Sequence, residues 1–87
     1  MAVADGAERE RLLKHLKALE AAGEQDYDDL YRARSDYDAT VCYSGAKEAF
    51  YDAISVARQL GMEDEAVRLS ERLDHIKAVF RSQFSDW

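Results

Sequence analysis

Eighty-seven residues, 47% apolar and 34% charged, are enough for one folded domain and lie outside the low-hydrophobicity regime of disordered chains. Asp and Glu outnumber Lys and Arg 18 to 12, a net charge of −6, which opposes direct contact with nucleic-acid phosphates or anionic lipid headgroups. One cysteine, Cys42, excludes an internal disulfide and fits a reducing compartment, and the N-terminus has no signal-peptide core, so the expectation is a cytoplasmic chain with no membrane span and a buried thiol.

Proline is absent, so Gly6, Gly23, Gly45 and Gly61 carry the punctuation. Asp5, with Glu8 three residues on, forms a capping pair that predicts a first helix from Asp5 to Ala22, closed by Gly23. Leu12, Leu16 and Leu19 supply its buried stripe with His15 at the border, while Arg9, Glu10, Lys14 and Lys17 face solvent and Glu10 is spaced to pair with Lys14. Asp26 and Asp29 repeat the start signal, and apolar periodicity then runs to Leu60 before Gly61. That predicts a second helix of unusual length. At about 100° per residue Tyr27, Leu30, Tyr31, Tyr37 and Val41 share one face, whereas Ala46, Ala49, Ala53, Ala57 and Leu60 centre roughly 90° away. The change of direction predicts a kink near Ser44-Gly45, or a full break giving four helices.

The last helix begins near Met62 or Glu63, with Glu63, Asp64 and Glu65 at the positive end of its dipole. Ala66, Leu69, Leu73, Ile76, Phe80, Gln83 and Trp87 form a heptad seam reinforced by Phe84, which predicts packing onto the first two helices. The expected architecture is therefore all-α: one helical domain over residues 1–87, a three-helix antiparallel bundle whose long second helix is kinked near Gly45. An unbroken helix over 26–60 would run roughly 50 Å, beyond either neighbour. A homodimer through Phe80, Phe84 and Trp87, or a partner protein, would cover the excess apolar surface.

All five tyrosines fall between Asp26 and Asp52, among aspartates. Tyr27, Asp28, Tyr31, Arg34, Asp36, Tyr37 and Asp38 are the candidate partner-binding residues, because Tyr and Arg are enriched among residues that dominate interface energetics. Arg34 and Asp38, four apart, are expected to form an ion pair beneath the tyrosine rings. Asp28, Asp29 and Asp36 fall away from the apolar face, as a solvated exterior or as an imitation of the charge on a nucleic-acid strand. The function expected is a non-catalytic interaction or regulatory module that docks an acidic, tyrosine-rich helix on a basic surface of another protein, and so inhibits a nucleic-acid-binding protein. A structural subunit of a larger complex is the first alternative, a small-ligand or metal-binding bundle the second.

Asp26-x-Asp28 and Asp36-x-Asp38 lack the Gly and distal Glu of a calcium loop, and no Glu-x-x-His occurs, so neither metal nor other cofactor is expected. Glu71 and His75 read as an exposed pair on the last helix. Cys42 has no sequence-visible general base. The run Arg68-Leu69-Ser70-Glu71-Arg72-Leu73-Asp74-His75 is similar to the Arg-to-His signature of HEPN ribonucleases, although Leu69 stands where that family usually has a polar residue. The resemblance implies, as a further alternative, a helical ribonuclease with Arg68 and His75 acting at phosphate. Residues 46–73 resemble a tetratricopeptide-type helical hairpin in the placing of small residues, which implies a helix pair and carries over no peptide-binding residues.

Overall fold

A computed structural model describes residues 6–83. Three helices occupy nearly all of that span: α1 Gly6–Leu30, α2 Asp36–Gln59 and α3 Glu63–Gln83. This is the expected all-α three-helix bundle, with no strand among the described residues. The chain is divided into helices differently, however.

α1 does not stop at Gly23. A glycine inside a helix costs only about 1 kcal/mol relative to alanine, and packing outweighs that here. Gly23 is buried, and a Cβ built on it would lie 2.6 and 2.7 Å from ring carbons of Phe50. The glycine is a contact point that lets the α1 backbone approach a fully buried ring.

The reversal comes at residues 31–35. The end of α1 tightens as the amides of Tyr31, Arg32 and Ala33 donate to the carbonyls of Asp28, Asp29 and Leu30. Ser35 then caps α2 in an extended conformation, its Oγ accepting from the Asp38 amide at 3.1 Å. Asp36 and Asp38 follow in the first turn, where carboxylates complement the helix dipole. α2 continues through Gly45 without interruption, so the four-helix alternative does not form. The shift of apolar direction near Ser44-Gly45 arises because Tyr37 and Val41 lie on the exposed face of α2, away from its buried alanine stripe, while Tyr27 and Leu30 belong to α1.

Gly61 ends α2 as expected. It has φ 72°, its amide donates to Arg58 and the Met62 amide donates to Ala57 at 2.8 Å, the paired bonds of a Schellman motif. Arg9 of α1 donates to the Leu60 carbonyl at 3.2 Å.

Direction follows from these contacts. Gly23 against Phe50, Gly45 against Asp26, and Arg9 against Leu60 set α1 and α2 antiparallel. Glu20 with Arg68, Glu24 with Arg72, and Tyr27 with His75, each 48 residues apart, set α1 and α3 parallel. α2 is the central element, packed by both neighbours. Its Ala46, Ala49, Ala53, Ala57 and Leu60 are buried, as are Ala66, Leu69, Leu73 and Ile76 of α3. Small side chains on α2 let its neighbours approach, and Phe50 fills the centre at 0% exposure. Leu16 is buried, with Leu12 and Leu19 half-buried beside it.

Four finer expectations change or fall away. His15 is exposed, because a step of about 100° from Leu16 carries it past the edge of the contact. Cys42 is half-buried rather than buried, since its part of α2 lies at the rim of the bundle. Phe80 stacks on Tyr43 of its own chain, centroids 3.9 Å apart and planes 4° apart. Asp5, Phe84 and Trp87 lie outside the described residues.

Candidate docking surface

The α1–α2 corner gathers six of the seven singled-out residues at one end of the bundle. Asp28 stands in the last turn of α1, Tyr31 and Arg34 in the connecting turn, and Asp36, Tyr37 and Asp38 in the first turn of α2. Tyr31, Arg34, Tyr37 and Asp38 do not share one helix face, as the sequence suggested, because the turn separates them. They surround a corner.

Tyr27 is set apart, half-buried between α1 and α3. Its ring meets that of Tyr31 edge-on at 5.4 Å and that of His75 at 6.3 Å, and the Arg72 guanidinium lies over it at 5.0 Å. Arg72 also binds Glu24 through two bonds of 2.7 Å. That pair holds the Glu24 carboxyl below its usual range and raises Arg72. The Tyr27 and Tyr31 hydroxyls share a hydrogen bond at 3.0 Å. Burial, with the Tyr31 hydroxyl second, pushes the Tyr27 phenol up to about 12, so it stays neutral at physiological pH. Tyr27 is thus part of the α1–α3 seam.

The expected ion pair between Arg34 and Asp38 is not formed. Arg34 lies exposed in the turn while Asp38 belongs to α2, so their spacing of four no longer places them on one helical face. Arg32 takes the role instead, donating to Asp28 at 2.6 Å and to Asp29 at 3.0 Å. Its signal was visible in the sequence, as aspartates three and four residues before an arginine on a helix. Gln25 also donates to Asp29 at 3.0 Å.

Between the two helices runs an open groove of about 350 Å³, lined by Asp29, Arg32, Ala33, Tyr37, Asp38, Val41 and Cys42. Its apolar parts are uncovered: Tyr37 is 77% and Val41 51% exposed, and neighbouring Tyr31 is 53% exposed. Burial, and then the charges of Asp29, Asp26 and Asp38, push the Cys42 thiol up, so it is held protonated. Asp26 is itself raised by burial and by Asp29. Sequence reasoning missed Asp29, Val41 and Cys42 as groove residues because it had no turn to bring the helix ends together.

Elsewhere, Arg68 bridges α3 to α1, donating to both carboxylate oxygens of Glu20 at 3.0 and 2.8 Å and binding Glu65 as well. The hydrogen bond to Glu20 leads in raising its pKa. Glu71 and His75 are both exposed, as expected, but they do not pair, and the His75 ring meets Tyr27 instead. No group of three His, Cys, Asp or Glu among the described residues is placed to hold a metal ion. No described helix is long and apolar enough to cross a membrane. Compared with protein-family models, curated proteins and solved structures, the chain gives no match.

Proposed function

We propose that this protein is a non-catalytic interaction module whose α1–α2 corner docks on a basic surface of a partner protein. The observation that carries the reading is the uncovered ring of Tyr37, 77% exposed and beside Val41, among the carboxylates of Asp28, Asp29, Asp36 and Asp38. Exposed aromatic surface rimmed by charge has the composition of a protein interface: an anchor that loses water on binding and a polar rim that steers the encounter. A net charge of −6 favours a basic partner and disfavours nucleic acid itself. Occupying a groove that nucleic acid would otherwise fill makes inhibition of a nucleic-acid-binding protein the regulatory form of this proposal. We place the encounter in the cytoplasm, the compartment that a lone cysteine suits.

The test is association kinetics. Partners retained by a tagged copy at low salt and released at high salt are identified, and binding is timed for the native chain and for the triple variant Asp28→Lys, Asp36→Lys, Asp38→Lys. Slower association with a flattened salt dependence is expected. A partner bound by the triple variant at the native rate would overturn the proposal and favour a structural subunit that docks through another face.

A further inference from the structure

The groove at the α1–α2 corner offers carboxylates from two helices, an uncovered ring and apolar side chains. Asp29 is supplied by the end of α1 and Asp38 by the start of α2, with Tyr37, Val41, Ala33 and Cys42 among the lining residues. Behind burial as the leading cause, Asp29 and Asp26 of α1 and Asp38 of α2 all raise the Cys42 thiol, so carboxylates of both helices lie close to the groove. A guanidinium fits these surroundings better than an ammonium. It is planar, binds carboxylates through two parallel bonds, stacks on rings and is weakly hydrated, whereas an ammonium is a compact, strongly hydrated point charge. The same chain uses paired guanidinium bonds twice, Arg68 on Glu20 and Arg72 on Glu24. Arg72 does so while lying over Tyr27, and a third guanidinium, that of Arg32, already reaches Asp29 through a single bond at the groove's own rim.

We propose that the groove reads arginine: it receives one arginine side chain from the basic partner protein, the stem on Val41 and the guanidinium between Asp29 and Asp38 against Tyr37. Arg32 is then an intramolecular competitor for Asp29. It yields without being stranded because Asp28, at 2.6 Å, still holds it. This inference rests on the docking proposal and narrows it to one side-chain chemistry.

Two capped hexapeptides, glycine alternating with three arginines or with three lysines, are titrated into isotope-labelled protein at low salt and followed by NMR. The arginine peptide should bind about tenfold more tightly and shift the Val41 and Cys42 amides. Asp38→Asn and Asp29→Asn should each weaken it several-fold, and Arg32→Gln should strengthen it. A control at the other end of the bundle, Glu63→Gln with Asp64→Asn, should leave it unchanged. Each variant's amide spectrum reports that it is folded. Equal binding of both peptides, or weaker arginine binding by Arg32→Gln, would overturn the arginine groove and leave the general docking proposal standing. Failure of both peptides to bind would overturn both.

Discussion

Glu24 and Asp26, two residues apart on α1, respond to folding in opposite senses. Glu24 is depressed from 4.5, mainly by its hydrogen bond to Arg72, so its stabilisation is present above that unfolded value and is lost as pH falls through the folded one. Asp26 is raised from 3.8 by burial and then by Asp29. Its protonated form favours folding below 3.8, and that contribution is lost as pH rises through the folded value, so its charge opposes folding at neutrality. Glu24→Gln should therefore lower the melting temperature at pH 7 and change it little at pH 3. Asp26→Asn should raise it at pH 7 and give no gain at pH 3. With the Arg72 and Glu24 side chains 34% and 37% exposed, the pair contributes no more than about 1 kcal/mol. Thermal melts of both variants at the two pH values check the signs. Little of this was legible in the sequence: Asp29 stands one turn from Asp26 on the same helix, but Arg72, which depresses Glu24, comes from α3, and the burial that raises Asp26 depends on the packing of α1.

Two helix-interior glycines separate packing from propensity at the scale of elements. A methyl at Gly23 meets the Phe50 ring at 2.6 Å, and that ring is 0% exposed. Overpacking of this kind costs about 1–3 kcal/mol, more than the roughly 1 kcal/mol gained in helix propensity. At Gly45 the methyl meets only the Asp26 carboxylate, the end of a side chain that can turn aside. Gly23→Ala should lower the melting temperature by several degrees, while Gly45→Ala should leave it unchanged or raise it. A loss in Gly45→Ala as large as in Gly23→Ala would contradict this account of the α1–α2 contact. The α2 stripe, the α3 seam and the stop at Gly61 were all legible, because alternation of three and four and a positive-φ glycine leave marks in the sequence. The α1–α2 turn left a fainter one. No non-glycine residue among those described has positive φ, so the chain reverses at 31–35 without needing a glycine, and only Ser35 followed by Asp38 announces it. The candidate site was half legible for the same reason: tyrosine and aspartate density was plain, but the corner that assembles it depends on that turn.

The whole molecule is a rod, 50 × 18 × 16 Å, with a radius of gyration of 14.7 Å against about 12 Å for a compact chain of this length. α2 lies at its centre, so the slowest-exchanging amides should fall between Phe50 and Ala57. Those beyond Ile76 in α3 should exchange faster, as buried apolar contacts thin out there. Hydrogen exchange followed by NMR reads this residue by residue. Protection beyond Ile76 equal to that at Phe50 would show that the rod opens only as a unit. The proposed docking corner lies at one end of this rod.

The rungs joining α1 to α3 cannot by themselves count helical turns. Acids recur at 20, 24 and 28 on α1 and arginines at 68 and 72 on α3, so a slide of α3 by one turn, about 5.4 Å, would set Arg68 against Glu24 and Arg72 against Asp28. Charge alone is a scale with evenly repeated marks. The same slide would carry Phe80 off Tyr43 and leave it level with Ala39, and it would draw Leu69, Leu73 and Ile76 out of their places at 0–2% exposure. The zero of the scale is set by rings and branched side chains, which fit at one alignment only.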